Sequence, residues 1–249
     1  DPFVIMFSVP LATLGVVVEV DIGHHRCGVL PMEPAAALAR CIQRSPNLEF
    51  RGLLGYDGHC TTKVNAQERE QLSLAANRWL GETAAYLSRQ GMPCEIVSAG
   101  GSFTYAYAAQ IPGITEVQPG TYALMDTAFR DFGIEGFERV TQAAATIISV
   151  PQGSPTAGLA VMDLGAKAFS LTYGLPEVVD PSHCRVMGLS DEHGRLIFGD
   201  TAPQPVIGDA VRLWVQDVNG TINLTDRLVV MEDGQVVDIW QIPNPGDHR

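Results

Sequence analysis

The sequence predicts two fold classes in one chain: an α/β part built as an incomplete TIM-type (β/α)8 barrel, and after it an antiparallel β-domain. Three observations predict this. Over roughly the first 125 residues, β-branched runs alternate with stretches of helical period, the signature of a parallel sheet or barrel. From about residue 145, short strand-like runs follow one another with Gly, Pro, Asp and Asn between them. Polar, glycine-rich residues fall just after the strands of the first part, where a barrel binds its ligands. The expected division is a partial barrel over residues 1–145 and a β-domain over 146–249.

The elements follow in order. Val16 to Asp21 is a buried strand ended by Gly23, and residues 34–45 form a helix with Pro34 in its first turn and Pro46 beyond its end. Leu48 to Tyr56 is a second strand, with Gly52 and Gly55 inside it. Ala66 to Gln90 is a long amphipathic helix with Leu72, Ala76, Trp79, Leu80, Thr83 and Leu87 on one face and Gly91 as its stop. Cys94 to Ser98 is a third strand, and Thr115 to Met125 a fourth, interrupted at Pro119-Gly120. Four strands are too few to close an eight-stranded barrel, so residues 1–15 are expected to be remnants of a missing first half. In the second part the expected strands are 146–150, 159–163, 166–172, 184–189, 196–198, 210–215, 221–224, 228–231 and 236–240. Glu232-Asp233-Gly234 is expected to make a hairpin turn, and no stretch has helical period.

Composition narrows the class. With 46% hydrophobic and 18% charged residues the chain is globular, and no apolar run reaches the ~20 residues of a membrane helix. The net charge of −12, with Arg and Lys scattered, excludes the basic stripe of a nucleic-acid binder. The start of the chain has no secretory signal pattern. The five cysteines lack any CxxC spacing and read as reduced thiols of a cytoplasmic protein. Only two lysines occur, Lys63 and Lys167.

Several motifs crown the strands. In 19–28, EVDIGHHRCG, Arg26 emerges at a strand end, where its planar fork suits a carboxylate or phosphate; alternatively it pairs with Glu19 or Asp21 to hold the loop. His24 and His25 are adjacent and point to opposite sides of an extended chain, so they are no metal pair. In 52–60, GLLGYDGHC, Tyr56 can stack on an aromatic cofactor and His59 can move a proton; a structural Tyr and a loop-capping His are the alternatives. Gly100-Gly101-Ser102 and Gly120-Thr121-Tyr122 follow two neighbouring strands, and together they read as a phosphate cup or as two simple turns.

The ordered strings VEVDIGHHRCGV, GLLGYDGHC, SAGGSFTY, EVQPGTYALMD, MDLGAKAFS, GLSDEHGRL, VIGDAVRLW and GTINLTD with DGQVVDIWQI resemble the D-threonine aldolase and D-serine dehydratase family over residues 16–242. The resemblance implies an alanine-racemase-like barrel with a β-domain, a homodimer, and pyridoxal 5'-phosphate (PLP) as cofactor. It places Gly100, Gly101, Ser102, Gly120, Thr121 and Tyr122 around the phosphate, Arg26 and Tyr56 beside the pyridine ring, and His59 toward the substrate. The function it implies is a PLP-dependent lyase acting on D-3-hydroxy amino acids. An amino-acid racemase or deaminase variant, or a non-catalytic PLP-binding relative, stands as the alternative. A small-molecule binding domain unrelated to PLP would rest only on acidity and the two glycine clusters.

Two departures bear on that function. The family's Schiff-base lysine, on the first barrel strand, has no counterpart here; Lys167 belongs to the LGAKAFS motif and Lys63 reads as an exposed loop charge. Where metal-binding members carry His and, two residues on, Cys or Asp, this chain has Asp217 and Asn219, just before Thr221-Ile-Asn-Leu. These are oxygen donors, better matched to Mg²⁺, Mn²⁺ or Ca²⁺ than to Zn²⁺, or else part of a plain Asp-Val-Asn-Gly turn.

Overall fold

The structure is a computed structural model that describes residues 12–61, 65–153, 158–199 and 203–243. The expectation for residues 1–15 therefore lies largely outside the described residues. The chain folds as two compact units, residues 1–120 and 121–249.

The first unit is a parallel sheet in the order β1-β2-β3-β4, made of Leu14–Glu19, Leu48–Gly55, Ile96–Ala99 and Glu116–Val117. Helices α1 (Glu33–Arg44), α2 (Ala66–Arg89) and the short α3 (Tyr105–Ala108) connect them. Parallel neighbours need such crossovers, because no tight turn can return the chain to the same end of the sheet. Buried Val18, Val20, Leu53 and Val97 of the sheet pack with Ala35 and Ala39 of α1 and with Leu80 and Leu87 of α2. Helix α2 starts at a capping box, in which Asn65 accepts from the Glu68 N–H and the Glu68 side chain accepts from the Asn65 N–H. It stops as expected at Gly91, whose φ of 79° lets the N–H groups of Gly91 and Met92 return to Ser88 and Leu87.

The buried face of α2 is rotated from the expected one. Leu72 and Trp79 are exposed, whereas Arg69, Ser73 and Asn77 are buried beside Ala76 and Leu80. Apolar periodicity misses this because Ser73 and Asn77 face inward to hydrogen-bond Asp57. The fourth strand is also shorter than expected. Only Glu116 and Val117 pair with β3. Pro119 cannot extend the ladder, and residues 121–123 form a 3-10 turn.

The second unit carries a six-stranded antiparallel sheet in the order β7-β10-β5-β6-β9-β8 and a separate hairpin, β11-β12. The strands are β5 (Gln142–Ser149), β6 (Leu159–Met162), β7 (Glu177–Asp180), β8 (Cys184–Leu189), β9 (Gly194–Phe198), β10 (Ala210–Trp214), β11 (Arg227–Glu232) and β12 (Gln235–Gln241). Ile147, Met162, Leu196, Val211 and Leu213 form its core. The turn at Asp233-Gly234 has positive φ at both residues, as a tight hairpin requires. β12 is exposed along its whole length.

Three expectations for this unit fail. Residues 166–172 form a 3-10 turn at Ala166–Ala168 instead of a strand, because the N–H groups of Ala166 and Lys167 bond the carbonyls of Ser190 and Asp191. Thr221–Leu224 lies in and just after a short helix, α5 (Val218–Ile222), so residues 146–249 are not free of helix; the unit also contains α4 (Thr127–Asp131), which precedes that span. α5 forms because Asp217 caps it, accepting from the Gly220 N–H, and a local cap outweighs β-branched content. β7 was not anticipated. It is a short edge strand between Pro176 and Pro181, and proline punctuation hides its strand pattern.

All five cysteines are free thiols. Burial pushes Cys60 up to about 12 and Cys94 and Cys184 up to about 11, while Cys27 and Cys41 are exposed. Iodoacetamide at about pH 8 should therefore label Cys27 and Cys41 roughly tenfold faster or more than the other three, because the thiolate is the nucleophile. Peptide mass spectrometry over a time course reads this, and Cys60 keeping pace with Cys27 would contradict the packing around it.

Candidate active site

The turn after β1 is built on Asp21. Its carboxylate accepts from the N–H groups of Gly23 (2.9 Å) and His25 (3.0 Å) and meets His25 Nδ1 at 2.8 Å. These bonds hold Asp21 down at about 2. The chain then recrosses itself at Gly28, where φ is 100° and a Cβ would stand 2.7 Å from the Asp21 nitrogen. With Asp21 engaged by His25, Arg26 is directed instead to Tyr56, its Cζ 5.3 Å from the ring centroid. His24 and His25 diverge as expected: His25 goes to Asp21, and His24 meets the Tyr56 ring edge-on at 5.4 Å.

The turn after β2 supplies Tyr56, Asp57 and His59. The His59 ring stacks toward His24 at 6.4 Å, and its Nε2 lies 3.5 Å from Cys60 Sγ. Burial lowers its pKa, so the imidazole is neutral at pH 7 and can accept a proton. Asp57 is completely buried. It accepts from Ser73 Oγ (2.6 Å) and Asn77 Nδ2 (2.9 Å) of α2 and from Thr104 Oγ1 (2.9 Å) of the turn after β3.

In the turn after β3, Gly100 takes a φ of 67°, and the Gly101 N–H donates to Thr104 Oγ1 at 3.1 Å. Gly101 therefore contributes its missing side chain: a Cβ there would lie 3.3 Å from Tyr56 Cε2. Ser102 is buried. Behind the turn, Ser98 Oγ donates to Glu116 and accepts from Gln118 Nε2 at 2.7 Å, joining β3 to β4. In the first unit the structure thus gathers Arg26, Tyr56 and Gly101 around one ring, with His59 reaching it through His24.

Gly120 ends the first unit; Thr121 and Tyr122 belong to the second. There Thr121 Oγ1 accepts from Asn219 Nδ2 at 3.0 Å, and the Tyr122 ring packs on Phe137 at 5.3 Å. Asp217 caps α5 and also accepts from Ser170 Oγ at 2.5 Å. Among the described residues no group of three His, Cys, Asp or Glu side chains is placed to hold a metal ion. Lys167 is exposed and paired with Glu192, which raises its pKa; Lys63 lies outside the described residues.

Four residues of this site were not read from the sequence: Asp57, Ser73, Asn77 and Thr104. One signal was present. Ser73 and Asn77 are four apart on α2, beside its apolar stripe, so they share one face and can meet a common partner.

A parallel β/α unit with Arg, Tyr, His and Gly at its strand ends, followed by an antiparallel β unit, defines the alanine-racemase-like class of folds. The model of the alanine racemase N-terminal domain matches residues 9–128, and that of a putative serine dehydratase domain matches residues 141–231. The D-threonine aldolase of Arthrobacter sp. is 32% identical over 96% of this chain and 62% of its own length. The 3-hydroxy-D-aspartate aldolase of Paracoccus denitrificans is 31% identical over 94% of this chain and 61% of its own. The crystal structure of D-threonine aldolase from Filomicrobium marinum superposes with a TM-score of 0.85 at 31% identity, covering 94% of this chain and 64% of that one. The chain matches these two domain models in succession and is similar over nearly its whole length to D-threonine and 3-hydroxy-D-aspartate aldolases, and it spans about three fifths of the length of the curated relatives it matches.

Proposed function

We propose that this chain forms part of a PLP-dependent lyase acting on D-3-hydroxy amino acids, of the D-threonine aldolase or D-serine dehydratase type. The observation that carries the reading is the Tyr56 platform. One aromatic ring is flanked by Arg26, edged by His24, and approached by the side-chain-free Gly101. A flat, cationic, glycine-lined place of this kind fits a phosphorylated pyridine.

In this proposal Arg26 and Tyr56 hold the ring, and Gly100, Gly101 and Ser102 bound the phosphate. Bound PLP supplies an electron sink that weakens the bonds at the substrate's Cα and the bond to its β-hydroxyl. In aldol cleavage His59, neutral at pH 7, would take the proton of that hydroxyl as the Cα–Cβ bond breaks, whereas loss of the hydroxyl as water would need a proton delivered to its oxygen. A divalent cation at Asp217 and Asn219 would replace hydrogen bonds that now cap α5 and reach Ser170 and Thr121. The cysteines, all free, support a cytoplasmic setting, and no helix among the described residues is long and apolar enough to cross a membrane. The exposed Val229, Met231, Val236, Ile239 and Trp240 of the β11–β12 hairpin support a covering partner surface, as in a homodimer.

A second reading, a PLP-binding relative without catalysis, is favoured by the altered metal pair, since Asp217 and Asn219 are engaged with Ser170, Gly220 and Thr121. Intact mass and the absorbance spectrum after PLP addition separate the two. A yellow band that borohydride removes, on a protein heavier than 26.8 kDa, is the result expected of the lyase. A band lost to borohydride with no pyridoxyl left on the protein mass supports the non-catalytic relative, and absence of any PLP binding sinks both.

A further inference from the structure

We infer that Asp57 is the positioning residue of the phosphate-side turn: acting through the Thr104 hydroxyl, it fixes where the Gly100–Thr104 turn stands relative to Tyr56. The inference rests on the PLP reading above. Asp57 is fully buried and accepts from three side chains on two separate elements. Ser73 and Asn77 hold its Oδ2 from α2, and Asn77 Nδ2 also reaches the Ser73 carbonyl at 2.9 Å, so that side of the carboxylate is fixed to the helix. Among the described residues its Oδ1 accepts from Thr104 Oγ1.

The Thr104 hydroxyl is polarised in one sense. Its oxygen accepts the Gly101 N–H at 3.1 Å, so its own proton goes to Asp57. The N–H groups of Thr104 and Tyr105 return to the Gly101 carbonyl at 3.0 and 2.8 Å, so the turn is closed around that single hydroxyl. Helix α2, Asp57, Thr104 and Gly101 therefore form one chain of bonds, and Gly101 ends it against the Tyr56 ring, on the residue next to Asp57. An acid is needed here because all three neighbours donate. An amide at position 57 would turn an N–H toward one of them, which leaves either Thr104 or the Ser73–Asn77 pair without an acceptor.

The experiment measures dissociation constants for PLP and for unphosphorylated pyridoxal, by quenching of intrinsic fluorescence, alongside thermal melting. The proteins are wild type, Thr104→Val, Thr104→Ser and Asp57→Asn. Thr104→Val and Asp57→Asn are expected to weaken PLP about tenfold or more and pyridoxal less than about threefold, the scale of one buried hydrogen bond lost at the phosphate end. Thr104→Ser, which restores the hydroxyl, should stay within about threefold of wild type for both ligands. Should Thr104→Val fail to fold, Asp57→Asn carries the same comparison. The inference is overturned if PLP affinity is unchanged in folded variants, or if both ligands weaken in parallel with the melting temperature, as a merely structural role would give. Wild type that binds neither ligand overturns the PLP reading and this inference with it. Wild type that binds PLP while the variants bind equally well overturns this inference alone.

Discussion

Gly52→Ala is expected to abolish folding of the first unit, while Gly91→Ala, also at a glycine of positive φ, is expected to leave it folded. Gly52 sits inside β2 with φ at 147°, where a Cβ would lie 1.8 Å from the carbonyl oxygen of Ile96 on the neighbouring strand. That oxygen is backbone at the first pair of the parallel β2–β3 ladder and cannot swing away as a side-chain tip can. Moving it would break the β2–β3 pairing that places the Tyr56 and Gly101 turns side by side. The cost should exceed about 4 kcal/mol, a large part of the stability of an ordinary domain. Gly91 also has positive φ, 79°, but nothing within 4 Å of the added carbon. Its replacement should therefore cost only the roughly 1–2 kcal/mol of backbone strain. Chemical denaturation followed by far-UV circular dichroism compares the two. Equal losses would mean that backbone strain, and not the collision with Ile96, governs position 52.

Strand and helix content was legible wherever the signal is local. Val16–Val20, Ala66–Arg89 and the Asp233-Gly234 turn all follow from side-chain period, capping and turn chemistry within a few residues. The expectations that failed are those decided by distant partners. The strand pattern of residues 166–172 yields to carbonyls of Ser190 and Asp191, and Leu72 and Trp79 lose the buried face of α2 to residues bonded to Asp57. The candidate site divides in the same way. Arg26, Tyr56, His59 and Gly101 could be named because strand ends advertise themselves by glycine and polar residues after apolar runs. Asp57 could not, because its partners lie 16, 20 and 47 residues away. Its letter sits in YDGH looking like one more loop acid. The choice of Arg26 for Tyr56 over Glu19 or Asp21 was equally hidden, since it depends on His25 engaging Asp21 first.

Tyr56→Ala is expected to weaken PLP binding about 30- to 100-fold, the equivalent of roughly 2–3 kcal/mol for removing an aromatic surface that a bound ring would cover. Tyr56→Phe keeps that surface and should stay within about fivefold, since the phenol oxygen adds at most a hydrogen bond. The size of the first effect follows from what converges on the ring. Arg26 stands 5.3 Å over it, His24 meets its edge at 5.4 Å, and Gly101 approaches it so closely that a Cβ would stand 3.3 Å from Cε2. Removing the ring therefore frees Arg26 as well, so Arg26→Ala should weaken binding clearly in the wild-type background and much less in Tyr56→Ala. That non-additivity separates a shared platform from two independent contacts. Fluorescence titration of the single and double variants measures it. If Tyr56→Ala bound PLP as wild type does, the ring would be packing for the turn after β2, and the proposed function would lose the observation that carries it. If the two losses simply added, Arg26 would instead hold the phosphorylated ligand on its own, as its position at the end of β1 also allows.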